Sequence, residues 1–273
     1  MGETGRELRI GIGGLGAIGL KVARALDAGI PGLKLAAVSA RDATAAARRM
    51  ENFTSPAPVV ALGDLAAMAD VVIECAPAAA FAAVADPAVE AGRILMPLSC
   101  GVLLRRMDLV ERARQTGARI IVPTGALVGF DAVRAAAEGT VHSVTMETRK
   151  PPKGLIGAPF LTDNAIDVSD LSEPLKVFEG NARDAALGFP ANVNVAAALS
   201  LAGIGPERTM ITIWADPTVT RNTHRIRVDA DSTRFEMLIE GIPSPDNPAT
   251  GMLTPLSVIA TLRGLVSPLR VGS

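Results

Sequence analysis

Few side chains in this 273-residue sequence can exchange a proton near neutral pH. The sequence contains two histidines and no tyrosine, and histidine is the side chain whose ordinary pKa lies in that range. His224 follows a turn at residues 215–217 and enters a predicted strand, a position that fits a catalytic role and a structural role equally well. His142 lies near the start of another predicted strand, and we interpret it as structural. His224 is therefore the candidate acid or base.

Two cysteines and two adjacent cations are the other candidates for chemistry. Cys75 and Cys100 lie near the carboxyl ends of predicted strands. Cys100 could be a nucleophile of the aldehyde-oxidising kind, although a small buried apolar role is more common for a cysteine without a neighbouring base or cation. Arg149 and Lys150 end a predicted strand. They could bind substrate carboxylates, or they could be solvated.

The strongest motif is rich in glycine and spans residues 11–19. Two alignments fit the pattern G-x-G-x-x-G, and we prefer the one that uses Gly14, Gly16 and Gly19, because the strand should end near residue 12. In that alignment Gly14 makes the tight turn, Gly16 lets the backbone approach a pyrophosphate, and Gly19 lets the helix pack on the strand. The motif predicts a dinucleotide site, whose contacts are Gly14, Gly16, Ala17, Ile18 and Gly19.

The residue that selects between NAD and NADP is expected at the end of the second strand, about 20 residues after the glycine motif. Ser39 occupies that position, and Arg41 and Asp42 follow it. No acid ends the strand, so strict selection of NAD is not indicated. Ser39 and Arg41 could hold a 2′-phosphate, Arg41 could equally be a solvated loop cation, and Asp42 could reach a ribose from the loop. We therefore predict that NAD and NADP both bind.

The composition excludes several classes of protein. Lysine and arginine total 27 against 28 acidic residues, a balance that is not typical of proteins that bind nucleic-acid backbones. The first residues lack the apolar run of a signal peptide, and the longest uncharged stretch, 185–206, is interrupted by glycine, proline and asparagine. Two cysteines suit a reducing compartment. We expect a cytoplasmic protein that binds neither nucleic acid nor membranes and needs no metal.

The first part of the chain alternates short apolar runs with helical segments. The runs are continuous, and most are followed by a helix, which indicates a parallel sheet covered on both faces. The predicted strands are residues 8–12, 33–38, 59–60, 70–75, 93–98 and 119–122. Residues 1–123 are thus predicted to form a dinucleotide-binding α/β domain of the Rossmann type.

After residue 123 the pattern changes to β-branched segments with partial alternation, which is typical of a sheet with one solvated face. The predicted strands are residues 141–150, 209–215, 224–229 and 234–240, and the predicted helices are residues 181–187 and 192–201. Residues 124–246 are predicted to form an α+β domain, on an antiparallel or mixed sheet, for substrate binding and oligomerisation. A C-terminal helix within about 247–273 is expected to pack back on the first domain.

Several segments carry a resemblance to a known family. They are residues 14–19, 123–126, 189–197, 199–203, 215–217 and 222–224. The most specific part is the block Asn-Val-Asn-Val at 192–195 combined with Asn-Thr-His at 222–224. On these motifs the sequence resembles the L-aspartate dehydrogenase family over essentially the whole chain. The resemblance implies a Rossmann domain joined to a homoserine-dehydrogenase-like α+β domain, which together interconvert L-aspartate and iminosuccinate or oxaloacetate with NAD or NADP.

The resemblance also implies roles for individual residues. It places the catalytic histidine at His224 and contacts on the nicotinamide side at Ala126 and Asn194. A dicarboxylate substrate needs cations, for which Arg149 and Lys150 are the candidates; ammonia is the second reactant, and a homodimer is expected. Two other functions stay open: a related oxidoreductase acting on a semialdehyde or another imine, and a non-catalytic dinucleotide-binding sensor. A histidine beside the nicotinamide would disfavour the sensor but not the related oxidoreductase.

Overall fold

The chain divides into two compact units. A computed structural model describes residues 7–190, 193–245 and 247–272. Among the described residues, unit 1 contains those up to Pro123 together with Thr254–Arg270, and unit 2 contains those from Thr124 to Leu253 together with residues 271–272. Within the described residues, no helix has both the length and the apolar character needed to cross a membrane.

The sheet of unit 1 is parallel throughout. Its strands are β1 (Leu8–Gly13), β2 (Leu33–Ser39), β3 (Val71–Glu74), β4 (Ile94–Pro97) and β5 (Arg119–Ile120). They are ordered β2–β1–β3–β4–β5, and each neighbouring pair is parallel. All four residues of β3 are buried, and because successive strand residues point to opposite faces, both faces of the sheet are covered. The predicted parallel α/β sheet is confirmed.

Seven helices accompany this sheet within the described residues. They are α1 (Ala17–Asp27), α2 (Ala43–Arg49), α3 (Leu65–Met68), α4 (Phe81–Glu90), α5 (Cys100–Leu103), α6 (Asp108–Thr116) and, from the end of the chain, α11 (Leu253–Val266). Val258 and Leu262 of α11 are fully buried in the same core as Ile10 and Ile12 of β1. This burial fixes the last helix against the first strand.

One strand predicted for this part of the chain is wrong, and the C-terminal helix lies within the range expected for it. The expected strand at 59–60 is absent, because Val59 forms an isolated bridge with Val38 instead of a continuous ladder. The C-terminal helix, expected within about 247–273, begins at Leu253. Strand β12 (Asn247–Gly251) occupies the preceding residues and pairs with β11 (Pro243–Ser244).

Unit 2 is built on a five-stranded mixed sheet. Its strands are β6 (Val141–Lys150), β7 (Leu175–Asn181), β8 (Thr209–Ala215), β9 (Asn222–Ala230) and β10 (Arg234–Gly241). They are ordered β10–β9–β6–β8–β7. Only β6 and β8 are parallel to each other, and the other neighbouring pairs are antiparallel. The predicted mixed sheet is confirmed, although β7 was not predicted.

Helices cover one face of this second sheet. They are α7 (Phe130–Ala137), α8 (Pro159–Asp163), α9 (Ala182–Gly188) and α10 (Asn194–Ala202). The alternation of β9 shows the covered face clearly, since His224, Ile226 and Val228 are buried while Arg225 and Arg227 are not. The predicted start of α10 at Asn192 lies outside the described residues.

Candidate functional site

The glycine-rich turn of unit 1 has the geometry that a dinucleotide needs. Gly14 has a φ of +111°, and a Cβ atom there would overlap the Cys75 backbone. A Cβ atom on Gly19 would overlap the Gly14 carbonyl oxygen, so the first turn of α1 lies directly against the loop. Gly16 caps α1 and has no atom within 4 Å of the position a Cβ would occupy. Open space at a helix N-terminus, reached through bare backbone, fits a pyrophosphate group.

The end of β2 lies beside this turn. The Gly14 amide donates to the Ser39 carbonyl oxygen at 2.9 Å, and the Ser39 side chain is buried. Arg41 is exposed. Asp42 caps α2, where its Oδ1 accepts from the Ala45 amide at 2.9 Å. Because α2 already uses this carboxylate, Asp42 is less suited to bind a ribose than the sequence alone allows.

Besides Arg41, which follows β2, a further cation lies at the glycine-rich turn, and the sequence analysis did not predict it. Arg49, in the last turn of α2, donates from Nη1 to the Leu15 carbonyl oxygen at 2.6 Å. Leu15 lies between the two glycines of the turn. The sequence gives no signal for this contact, because 34 residues separate the two partners.

A buried carboxylate also lies at the carboxyl ends of β3 and β4. Glu74 is fully buried; it accepts from the Leu98 amide at 3.2 Å, the Ser99 amide at 3.0 Å and the Ser99 hydroxyl at 3.0 Å. Burial raises the pKa of the Glu74 carboxyl, and the hydrogen bonds from Ser99 and Leu98 oppose the rise. Glu74 thereby holds the turn that leads into α5.

The two thiols near Glu74 are poor nucleophiles. Burial, and then the nearby Glu74 charge, raises the pKa of Cys75 far above its ordinary value and that of Cys100 to about 12. A thiol that stays protonated at neutral pH is inert. The structure therefore favours the small buried apolar role for Cys100 over the nucleophilic one.

Unit 2 brings three of its polar side chains to one face of the sheet. Thr148 of β6 is paired with His224 of β9, and their Oγ1 and Nδ1 atoms are 3.0 Å apart. Lys150 follows Thr148 by two residues and so lies on the same face. All three are buried, with exposures of 4% for Thr148, 3% for His224 and 6% for Lys150. β6 ends here because Pro151 has no amide hydrogen to continue the ladder.

Burial changes the protonation of this cluster. Burial, followed by the positive charge of Lys150, lowers the pKa of His224 to about 3. Burial lowers the pKa of Lys150 to about 8. His224 is therefore a neutral imidazole at neutral pH, whereas an unperturbed histidine would titrate there. Lys150 keeps most of its positive charge at pH 7.

The structure separates Arg149 from Lys150. Neighbouring strand residues point to opposite faces, and Arg149 lies on the face away from His224, where its Nη1 is 3.0 Å from Asp216 Oδ2 and its Nε is 2.9 Å from Glu147 Oε1. Its guanidinium carbon is 4.8 Å from the centre of the Trp214 ring. The two cations cannot form one carboxylate clamp, and Arg149 already has two carboxylate partners of its own.

The remaining predicted contacts also lie in unit 2. Ala126 is half-buried in a turn closed by a 3.1 Å hydrogen bond from the Leu127 amide to the Thr124 carbonyl oxygen. Asn194 is the first residue of α10 and is exposed. Its neighbour Asn192, part of the motif that carried the resemblance, lies outside the described residues.

Both units match known protein families. Residues 14–123 match the family described as homoserine dehydrogenase, NAD binding domain, and residues 131–265 match aspartate dehydrogenase, C-terminal. The chain is 57% identical to an L-aspartate dehydrogenase of Bradyrhizobium diazoefficiens, over 98% of this chain and 95% of that protein. This chain belongs to the L-aspartate dehydrogenase family.

Other members of the aspartate dehydrogenase family match along their full length. L-aspartate dehydrogenase 3 of Bordetella bronchiseptica is 48% identical, with 98% of each chain covered. The crystal structure of aspartate dehydrogenase from Thermotoga maritima is 26% identical and has a TM-score of 0.74, with 97% of this chain and 99% of that chain covered. The resemblance inferred from the motifs is confirmed.

Proposed function

We propose that this chain is an NAD(P)-dependent L-aspartate dehydrogenase. It interconverts L-aspartate with iminosuccinate, which water converts to oxaloacetate and ammonia. The observation that carries this proposal is the 57% identity, over 98% of the chain, to a relative named L-aspartate dehydrogenase. The neutral, buried histidine beside a buried cation in unit 2 supports it from the structure.

NAD or NADP supplies the hydride acceptor and donor when it is bound. Residues 14–123 match an NAD-binding domain, and the open backbone at Gly16, with Ala17 and Ile18 in the first turn of α1, would hold the pyrophosphate. Ser39 and Arg41 would hold a 2′-phosphate, so we propose that both cofactors are accepted. Ala126 and Asn194 are proposed contacts on the nicotinamide side, on the basis of the family motif.

His224 is the proposed catalytic residue. Oxidation of aspartate requires Cα to lose a hydride, which a bound cofactor would accept, and the amine nitrogen to lose a proton; the resulting imine adds water and releases ammonia. The protein must exchange hydrogens with the amine nitrogen and with the oxygen of that water. The chain has no tyrosine for this task, and His224 presents a ring that stays neutral at working pH.

Lys150 is the proposed contact for a substrate carboxylate. Its ammonium group is buried on the face of the sheet that carries His224, and a charged donor in a buried place binds a carboxylate strongly. Arg149 is not part of this proposal, because it lies on the other face beside Asp216 and Glu147.

A homodimer is proposed for the assembly. On the face of the unit 2 sheet away from His224, Leu238 is 53% exposed and Met210 44% exposed. The same face carries charges of both signs, among them Arg225 and Glu236, so two copies related by a twofold axis can be complementary. Sedimentation of the full chain is expected to show a dimer, and a monomer at micromolar concentration would contradict it.

A cytoplasmic location is also proposed. The free thiols of Cys75 and Cys100 support it, because free thiols persist in a reducing compartment.

A substrate comparison in the reductive direction tests the proposed activity. The purified chain is supplied with NADH or NADPH, with or without ammonia, and with one carbonyl substrate at a time: oxaloacetate, pyruvate, 2-oxoglutarate or a semialdehyde. The highest kcat/KM is expected with oxaloacetate, and only when ammonia is present. A higher kcat/KM with a semialdehyde, or oxaloacetate turnover that does not depend on ammonia, would refute the proposal.

A further inference from the structure

Thr148 and His224 form a buried polar pair. The two residues are directly paired across β6 and β9, and Oγ1 of Thr148 is 3.0 Å from Nδ1 of His224. A hydroxyl both donates and accepts, and a neutral imidazole has one N–H group and one lone pair. The hydrogen bond can therefore run in either direction, and each direction fixes a different tautomer.

We infer that the Thr148 hydroxyl donates to Nδ1 of His224 and so holds the ring proton on Nε2. Among the residues that the structure describes, the His224 ring is the side-chain hydrogen-bond partner of this hydroxyl. If Nδ1–H donated instead, the hydroxyl hydrogen of Thr148, which is only 4% exposed, would lack a side-chain acceptor among the described residues. A buried donor without an acceptor is unfavourable, whereas donation to Nδ1 satisfies both atoms.

The charges around the ring make the tautomer matter. Burial, followed by the positive charge of Lys150 on the same face of the sheet, lowers the pKa of His224 to about 3 and so keeps the imidazole neutral. Thr148 is itself uncharged. A neutral ring offers either a donor or an acceptor at Nε2 but never both. The contact with Thr148 engages Nδ1, so Nε2 is the ring nitrogen that we assign to the substrate.

This assignment rests on the proposed function and narrows the part that His224 plays in it. With the proton on Nε2, His224 meets the substrate as a neutral hydrogen-bond donor and not as a base. In the reductive direction, ammonia adds to the oxaloacetate carbonyl, two of its hydrogens pass as protons to the former carbonyl oxygen, and that oxygen leaves as water when the C=N bond forms. Nε2–H donates to that oxygen as negative charge develops on it, and a neutral histidine is suited to this form of stabilisation. Thr148 is then a positioning residue.

Nitrogen-15 NMR of the full-length, ligand-free chain tests the tautomer directly. The sequence has two histidines, so a His142→Gln variant assigns the His224 signals by elimination. We expect the shifts of an imidazole protonated at Nε2, with Nδ1 in the unprotonated range. A ring protonated at Nδ1, or at both nitrogens at neutral pH, would overturn the inference. The result is independent of turnover, so it stands or falls separately from the aspartate dehydrogenase activity.

Two substitutions test whether Thr148 sets this state. Thr148→Val keeps the shape and removes the hydroxyl, and Thr148→Ser keeps the hydroxyl. Thr148→Val is expected to give mixed tautomers and to lower kcat roughly 10- to 100-fold, the range for losing a partner that orients a histidine, with the KM for the cofactor unchanged. Thr148→Ser is expected to keep the tautomer and the kcat of the parent. An unchanged tautomer in Thr148→Val would refute the role, and if that variant does not fold, a change of tautomer in Thr148→Ser would refute it.

Discussion

Gly14 and Gly19 lie against each other in the glycine-rich turn, and neither position tolerates a side chain. A Cβ atom on Gly19 would overlap the Gly14 carbonyl oxygen, and Gly14 has a φ of +111°. This contact fixes the N-terminus of α1 over the end of β1. The glycines of this motif therefore have two different roles. Gly14 and Gly19 allow close backbone packing, whereas Gly16 caps α1 and has open space in front of it.

The glycines of the turn should therefore respond differently to alanine. Gly16→Ala is expected to leave the melting temperature near that of the parent and to weaken NADH and NADPH alike, because the added methyl group occupies the space of the pyrophosphate. Gly19→Ala is expected to lower the melting temperature, because its Cβ has no room. Thermal unfolding and cofactor titration check both. Undiminished cofactor affinity in Gly16→Ala would show that the dinucleotide does not bind at this turn.

Arg41 should discriminate between the two cofactors. Arg41→Ala is expected to raise the Kd of NADPH about tenfold, the effect of one lost charge-assisted contact at an exposed site, and to change that of NADH by less than about twofold. Arg48, an exposed cation of the same region, provides the matched control variant Arg48→Ala. An equal loss for both cofactors in Arg41→Ala would assign the 2′-phosphate to another group, with Arg49 the next candidate.

Lys150 should control the affinity for the dicarboxylate. Lys150→Met is expected to raise the KM for oxaloacetate roughly 10- to 100-fold, with cofactor affinity unchanged. Arg149→Met is the matched control, since that side chain lies on the opposite face, and its KM should stay near that of the parent. Because the pKa of Lys150 is lowered to about 8, the ammonium group loses its proton above that pH. The KM should therefore rise as the pH increases through 8, and this dependence should disappear in Lys150→Met. A raised KM for oxaloacetate in Arg149→Met, with an unchanged KM in Lys150→Met, would contradict the assignment.

His224 should be required for turnover but not for folding. His224→Asn is expected to lower kcat by about two to three orders of magnitude, the usual range for losing a donor that stabilises a developing oxyanion, with cofactor affinity retained. His142→Asn, at an exposed position, is the control and should be nearly as active as the parent. The parent should show no activity change attributable to imidazole near pH 6.5, because burial lowers the pKa of His224 to about 3. A stable His224→Asn variant with near-parental kcat would exclude the catalytic role.

The sequence predicts strands well where side chains alternate. The bounds predicted for β6 and β8 agree with the structure, because both segments are rich in β-branched residues that suit a half-buried sheet. β7 was missed because Lys176, Glu179 and Gly180 obscure its pattern, and the ladder is irregular between Lys176 and Phe178. Such an irregularity depends on the pairing with β8, so the residues of β7 alone do not reveal it.

The candidate site was only partly predictable for a related reason. The alternation of β6 already implied that Arg149 and Lys150 point to opposite faces, and that signal was available in the sequence. The pairing of Thr148 with His224 was not, because 76 residues separate them and the register between β6 and β9 arises from the fold. The neutral state of His224 likewise depends on burial, and composition alone predicted an ordinary titration near neutrality.

The central claim is that hydride moves between Cα of L-aspartate and the cofactor, and isotope transfer tests it most directly. The full-length chain is incubated with L-aspartate deuterated at Cα and with NAD or NADP, and the reduced cofactor is isolated and analysed by mass spectrometry. The account predicts that one deuterium appears at C4 of the nicotinamide ring, with one ammonia released for each cofactor reduced. Reduced cofactor without deuterium, or no reduction with L-aspartate under conditions where another substrate reacts, would contradict it.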